Sequence, residues 1–592
     1  MAPPFLQLRY SFNLLSFFVL VALPNFASAQ NVTTTTLRLS GESAGDGIQF
    51  ARFQLAGSPV SNNRGEYVFS ADLEGENVTP ENNIGVFIDV AGDLQLVARK
   101  GDLIPDSTSG IRFDSFRTAS FNTNGEFVFR AELAGGAITD TSLGLFSNAG
   151  GELQSILYPT QPAPNFEQGV TFAALFDRSI NDAGEIIFRA DVVGPGIDDS
   201  NNNIISARLP NGQITQLLRE GQSFEQLGGG VVLRTIINRQ PNIDSAGRFG
   251  LRVILDGPSI NESNDTALIS RTSGDQFQVI AHEGQSVPVI QGDVNYGVLS
   301  GHRRNRSGQM VFESNLTGSD VDATNGDAIF IEDNGSLTIA VRSGQAAPAT
   351  GTVFGRLGEA YINELGDLMF NTDLAGASVT DADDTAVFTK TGSTLHLILR
   401  EGQSVSGLPN NVEIDDLSFA FPPFAGFTFN NSGQVGIRAL LRGDGVTEDN
   451  DLALFFYDGV SLNLVAHKGG VLDVDQRSDF EDLRTVSEIG AVFGSAGEGR
   501  NMSALNNRGE LLFRLEFTDG TSGIFVASSG TERTSGLLGD VNTDGVVDFG
   551  DIAPFIAVLS SGRFQFEADT DGNTVVNFSD IPPFISILIS GP

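Results

Sequence analysis

"NTNGEFVFRAEL" occupies residues 122–133, and its two halves carry different chemistry. Asn122 followed by Gly125 is turn chemistry, since both tolerate left-handed backbone and Asn can bond its own main chain. Beyond the turn, Phe127, Phe129, Ala131 and Leu133 fall at every second position. That period marks a half-buried strand. The same Asn-x-x-Gly-x-x-x-Phe pattern starts at Asn62, Asn181, Asn305, Asn363 and Asn506, with degenerate copies at Asp244 and Asn430. Successive starts lie 60, 59, 63, 61, 58, 67 and 76 residues apart, a period that organises the whole chain.

Each unit continues with two more strand signals and no helical periodicity. A short apolar stretch comes first, such as "GVFI" (85–88) or "AIFI" (328–331). After a Gly-bearing turn follows a strand closing on a small signature: "LVARKGD" (96–102), "LLREGQ" (217–222), "LILREGQ" (397–403). A fourth apolar stretch, such as "IRFDSF" (111–116), leads to the next Asn. A four-stranded sheet of this size cannot bury both faces alone, so neighbouring units must stack. Stacked radially, they make an all-β chain, a β-propeller of about eight blades. An open solenoid or a string of sandwiches is the alternative, but the ends of the array argue for closure. The last unit breaks off after two strands, while "LRLSGES" (37–43) and "IQFARF" (48–53) near the N-terminus resemble the third and fourth strands of a unit. The N-terminal piece is therefore expected to complete the final blade and leave no exposed edge.

Composition narrows the setting. The N-terminus carries Arg9, a twelve-residue apolar run (12–23), Pro24 and the small-residue site Ala27-Ser28-Ala29, which together read as a signal peptide over 1–29. Twelve residues are too few to span a bilayer, which needs roughly 20. The chain is thus expected to be secreted or at the cell surface, with no membrane span. It has no cysteine, so burial rather than disulfides must hold it. A net charge of −38 disfavours nucleic acid as a partner and suits cations. Trp is absent and Phe (45) far outnumbers Tyr (6), which lowers the expectation of a sugar-stacking groove.

The repeat domain, 30–536, shows no catalytic set. His282 and His467 occupy the slot held by Arg99, Arg219, Arg342 and Arg400 in other units, so they read as turn-bonding groups of the repeat. His302 and His396 have no partner by spacing. No phosphate loop, nucleophile elbow or metal-binding His pair is present. Acidic loops such as "GIDDSNNN" (196–203), "SDVDATNGD" (319–327) and "VTEDND" (446–451), placed between the first and second strands after the Asn turn, should gather on one face. They read either as a calcium-attracting surface or as solvated turns, with the turn reading preferred.

The last segment is different in kind. "GDVNTDGVVDFGDIAPF" (539–555) places oxygen ligands at positions 1, 3, 5, 7, 9 and 12 of a calcium loop: Asp540, Asn542, Asp544, Val546 (by its carbonyl), Asp548 and Asp551, with Gly545 at the turn. Twenty-nine residues on, the set returns as Asp569, Asp571, Asn573, Val575, Asn577 and Asp580, with Thr574 in place of the Gly. An apolar segment carrying proline in its first turn, where helices tolerate it, follows each loop.

Paired loops, each followed by one helix and ending in Asp, resemble a type I dockerin over residues 537–592. The resemblance implies a small α-helical domain that folds on two calcium ions and docks onto a cohesin-like or other cell-surface anchoring protein. Phe549 and Phe578 stand where dockerins often carry small polar recognition residues, which points away from an ordinary cohesin. Over about 60–515 the chain resembles exported NxxGxxxF tandem-repeat proteins with interchangeable C-terminal anchors, which implies no activity. The expected function is a secreted propeller serving as a binding or structural module tethered by its tail. The alternative is a glycoside hydrolase or lyase delivered to extracellular polysaccharide by the same tail.

Overall fold

The computed structural model describes residues 32–529 except 55–58, 91, 137, 238–240, 273–275, 416, 418–425, 476–480, 493 and 495–502. Toward the C-terminus it describes 538–539, 541, 547, 549–561, 566–571 and 575–590. The expected signal peptide, 1–29, lies outside these residues. Among the described residues no helix is long and apolar enough to cross a membrane.

Eight antiparallel sheets follow one another as the blades of a β-propeller, as the period requires. Blade 3 shows the unit: Thr171–Ile180, Ile186–Val193, Asn203–Arg208 and Ile214–Arg219, paired in sequence order. Each Asn turn joins the first strand of a blade to the second. The acidic loops consequently join second to third strands, one place later than the sequence reading had them, because a linear repeat does not reveal where a blade begins.

Closure is achieved by one strand. Val32–Leu39 pairs antiparallel with Ser522–Ser529 as the outer strand of blade 8. Ile48–Phe53, expected to cross over with it, instead pairs with Tyr67–Gly75 as the first strand of blade 1. The fourth apolar stretch of a unit and the first strand of the next blade are the same element, so the ring needs a single crossing strand.

The core lies between blades. One apolar cluster, for example, joins Val86 and Ile88 of blade 1 to Phe113, Phe129 and Phe146 of blade 2. Another closes the ring by packing Leu512 and Ile524 of blade 8 on Phe50 and Phe69 of blade 1. Phe fills these layers as stacked cross-strand pairs: Phe69–Phe87, Phe129–Phe146, Phe312–Phe330, Phe370–Phe388 and Phe513–Phe525, with centroids 5.1–5.9 Å apart. Offset stacking of this kind adds to the area each ring buries, which accounts for the phenylalanine-rich composition.

The Arg-x-Gly-Gln signature is the joint between blades. Gly221 sits at φ +80°, and its N–H bonds the carbonyl of Leu233 on the next first strand at 2.7 Å, while the Leu233 N–H returns to Gln222 at 2.9 Å. The paired bonds recur from Gly41 and Glu42 to Phe50, across the closure, and from Gly469 and Gly470 to Val486. Only blade 2 uses a residue with a side chain here: Thr160, at φ +72°, bonds Phe172.

Candidate functional site

Around the propeller axis, the repeat Asn residues form a ring of side-chain bonds complete at every step but one. The Nδ2 of Asn62 donates to the carbonyl of Asn122, Asn122 to Asn181, Asn181 to Asp244, Asn305 to Asn363, Asn363 to Asn430, Asn430 to Asn506 and Asn506 to Asn62, all at 2.9–3.3 Å. Asp244 has no amide to donate, and there the Ser245 N–H bonds the Arg306 carbonyl at 3.2 Å instead. Each Oδ1 meanwhile accepts main-chain N–H groups of its own turn; for Asn122 these are Asn124 and Glu126, at 3.0 and 2.8 Å. The repeat Asn is structural, holding its turn with one atom and the neighbouring blade with another.

The residue after the repeat Asn adds a second, partial ring. The N–H groups of Thr123, Arg306, Glu364, Asn431 and Asn507 donate to the side-chain oxygens of Asp182, Glu364, Asn431, Asn507 and Asn63 in the following blades. Here the eightfold pattern breaks. Arg306 of blade 5 donates to Thr123 Oγ1 of blade 2 at 2.9 Å and lies 3.5 Å from Asp182 of blade 3. A side chain can reach a blade three places away only across the axis, so Arg306 plugs this end of the channel. Glu364 is buried beside it, and that burial pushes its carboxyl up to about 7 against the opposing pull of Arg306. Arg306, Asp182, Thr123 and Glu364 thus bond one another and the main chain around the axis. Burial also holds His302 down at about 4, a neutral imidazole.

A third belt runs along the second strands. Eight residues after each repeat Asn or Asp a polar side chain interrupts an apolar strand: Ser70, Arg130, Arg189, Arg252, Glu313, Asn371, Arg438 and Arg514. Several reach the next first strand at its bulge. Arg130 bonds the Phe176 carbonyl, Arg252 the carbonyls of Leu299 and Ser300 at 2.7 and 2.9 Å, and Glu313 accepts the Ala360 N–H at 2.7 Å. These contacts fall at or beside bulges, 175/178, 299/302 and 357/360, where the register of the first strand shifts.

The shared slot behaves as expected in most blades. Arg99, Arg219, Arg342 and Arg400 donate Nε to the carbonyls of Asn82, Asn201, Asn325 and Asp383, and His282 Nε2 lies 2.7 Å from that of Asn264. His467 does not follow. Its Nδ1 lies 2.8 Å from the Lys468 carbonyl. The acidic loops themselves are Asx turns. Asp198 Oδ1 accepts from Ser200, Asp322 from Thr324 and Asn450 from Thr447, each through a main-chain N–H. One oxygen of each is thereby engaged within its own turn, as in solvated turns.

Among the described residues, one group of carboxylates is placed to hold a metal. The oxygens of Asp569, Asp571 and Asp580 all lie within 4.8 Å of one another. Asp580 accepts from the main chain of Asp571 at 3.1 Å and of Asn577 at 2.8 Å. Asn577 in turn caps the helical turn Phe578–Asp580. Burial pushes the Asp580 carboxyl up, and the facing Asp571 adds to it. Three acidic groups held this close suit a hard divalent cation.

Val575 lies in the same loop, while Asn573 is outside the described residues. So are Asp540, Asn542, Asp544, Val546 and Asp548 of the first loop; Asp551, the last of its expected ligands, is fully buried like its counterpart Asp580. The helices behind the loops, α1 (Ile552–Ser561) and α2 (Ile581–Ser590), carry Pro554, Pro582 and Pro583 in their first turns. They meet through Phe555 and Phe584, stacked 4.0 Å apart at 5°. Phe549 and Phe578 are each 80% exposed.

Residues 26–344 and 328–531 match a family of unknown function, DUF7453, over nearly the whole propeller. The chain belongs to this family. The C-terminal module lies beyond the part of the chain that matches DUF7453. No curated protein matches the sequence. Similar solved structures include an oligogalacturonate lyase in complex with manganese, at 10% identity over 72% of this chain and 96% of that one, with a TM-score of 0.34. The propeller domain of the trilobed protease from Pyrococcus furiosus is 8% identical over 71% and 99%, with a TM-score of 0.35. A polysaccharide lyase described as an ulvan lyase is 11% identical over 69% and 90%, at 0.30.

Proposed function

We propose that this DUF7453 chain is an exported binding or structural propeller, tethered to a cell-surface or scaffold partner by a calcium-folded, dockerin-like C-terminal module. The observation that carries the reading is the convergence of Asp569, Asp571 and Asp580 within 4.8 Å, in a loop whose spacing repeats 29 residues earlier. The full pairing of Phe555 with Phe584 fits two equivalent loop–helix units folded against each other. The axial groups favour a structural role, since Arg306 reaches Thr123 and Asp182, Thr123 donates to Asp182, and Glu364 accepts from the Arg306 main chain.

Calcium titration of the full-length chain by calorimetry tests the tail. Two sites are expected, the first tighter because Thr574 replaces the turn glycine in the second. Asp551→Ala and Asp580→Ala should each remove one site. Absence of calcium binding, or binding indifferent to both substitutions, would sink the proposal.

The enzymatic alternative draws on one observation, the breaking of repeat symmetry at the axis by Arg306, Asp182 and Glu364. A reducing-sugar assay across extracellular polysaccharides separates the two readings. Turnover lost in Arg306→Ala would replace the structural reading with a hydrolase or lyase.

A further inference from the structure

Blade 7 breaks the pattern on the face bearing the acidic loops. In blades 1, 3, 5 and 6 an arginine guanidinium, and in blade 4 an imidazole, donates to the main-chain carbonyl near the end of the acidic loop. In blade 6 the contact is double, because Arg400 also donates to the Asp383 carboxylate at 2.7 Å. The corresponding residue of blade 7, His467, is turned toward Lys468 instead.

The reason lies three residues along. Blades 3 to 6 carry Gln at this joint position (Gln222, Gln285, Gln345 and Gln403), and blade 7 carries Gly470. A Cβ built on Gly470 would meet His467 Nε2 at 2.8 Å, so the imidazole occupies room that only glycine leaves.

Beside the turned imidazole lies a cavity of about 280 Å³ in blade 7, which His467 and Lys468 also line. Pro409, Val412, Leu441 and Val446 form its apolar wall, and Asp444 and Asn450 are at its polar side. Lys468 does not fill it, being bonded to Asp451 at 3.2 Å and to the Glu448 carbonyl. The loop around it keeps the turn of the other blades, with Thr447 N–H on Asn450 Oδ1 and Asn450 Nδ2 on the Gly445 carbonyl.

We propose that this cavity receives an arginine side chain from a partner protein, its guanidinium standing where the chain's own arginines stand in blades 1, 3, 5 and 6. The repeats supply the template for the ligand. An aliphatic stem fits the apolar wall, and a planar cation with several donors fits the Asn450 carbonyl and the Asp444 carboxylate. The net charge of −38 favours the approach of a basic partner. None of its lining residues belongs to the C-terminal module.

N-acetyl-arginine methylamide, titrated against the full-length protein with saturation-transfer NMR, tests the proposal. Saturable binding is expected, with the norleucine analogue, which has the stem and no cation, at least about tenfold weaker. His467→Arg restores the residue of the other blades and should fill the cavity from within, weakening binding about tenfold or more. Val446→Phe, which narrows the same cavity from its apolar wall, should do likewise and serves if His467→Arg fails to fold. No binding to the unaltered protein overturns the proposal. So does equal binding of the norleucine analogue, or undiminished binding to the folded variants.

Discussion

Asn122 is the residue on which this architecture can be tested most directly. Fully buried, it accepts two main-chain bonds in its own turn and donates to Asn181 and to Glu126. Asn122→Ala strands those partners and should lower stability by about 3 kcal/mol in equilibrium denaturation. Asp244 shows what the chain does without the amide: Arg248 Nε bonds its carboxylate at 2.7 Å and Ser245 takes over the link. Glu364 makes a pH-dependent contribution of the opposite sign to a salt-bridged acid. Unfolded, its carboxyl ionises near 4.5; folded, it keeps its proton to about 7. The folded state therefore binds more protons between those values, and stability falls as pH rises through that window, by up to about 3 kcal/mol. Glu364→Gln keeps an oxygen for the Arg306 N–H and should flatten the Tm-against-pH curve between pH 5 and 7. An unchanged curve would assign the pH dependence elsewhere.

Among the elements, the inter-blade joint is the most uniform and carries one visible flaw. Thr160 holds at φ +72° a conformation that glycine adopts in the other blades, and β-branched residues pay for it sterically. Thr160→Gly is expected to raise stability by about 1 kcal/mol, read as a higher midpoint in denaturant. Gly221→Ala, the converse change, should lower it by a similar amount, since its added Cβ also approaches the Ser200 carbonyl at 3.2 Å. The joint's function was hidden in the sequence although its residues stood out: "REGQ" recurs visibly, but its bonds go to Leu233 or Ile414, residues with no distinguishing mark. The strands were legible because Phe127, Phe129 and Leu133 alternate, and the turns because Asn and Gly fix them. Arg306 was not, since the position after the repeat Asn varies freely and its partner Thr123 lies 183 residues away. The convergence of Asp569, Asp571 and Asp580 was legible because all three come from one short segment, whose spacing alone brings them together.

For the whole molecule, closure rests on Val32–Leu39. Removing it leaves blade 8 with Ser522–Ser529 as an open edge and uncovers Phe525, against which Leu39 packs. A chain beginning after Leu39 should self-associate in size-exclusion chromatography, and the missing strand supplied as a peptide should restore the monomer. A truncated chain that remains monomeric would show that the inter-blade cores close the ring unaided. The sequence announced that the ends are complementary, yet could not say which N-terminal strand crosses, because a repeat read along a line has no marked starting point.

The ring of asparagines has a consequence for how such a molecule arises and changes. Each amide binds the neighbour's carbonyl, an atom every residue possesses, so it places no demand on the neighbour's side chain. A unit can be copied, lost or replaced by a diverged version, and the adjoining unit still finds its acceptor. Blade 4 could exchange its Asn for Asp244 and still receive the bond from Asn181. The lineage is free to vary the identity of any unit, including the one that opened a cavity, provided it keeps the reading frame of the circle.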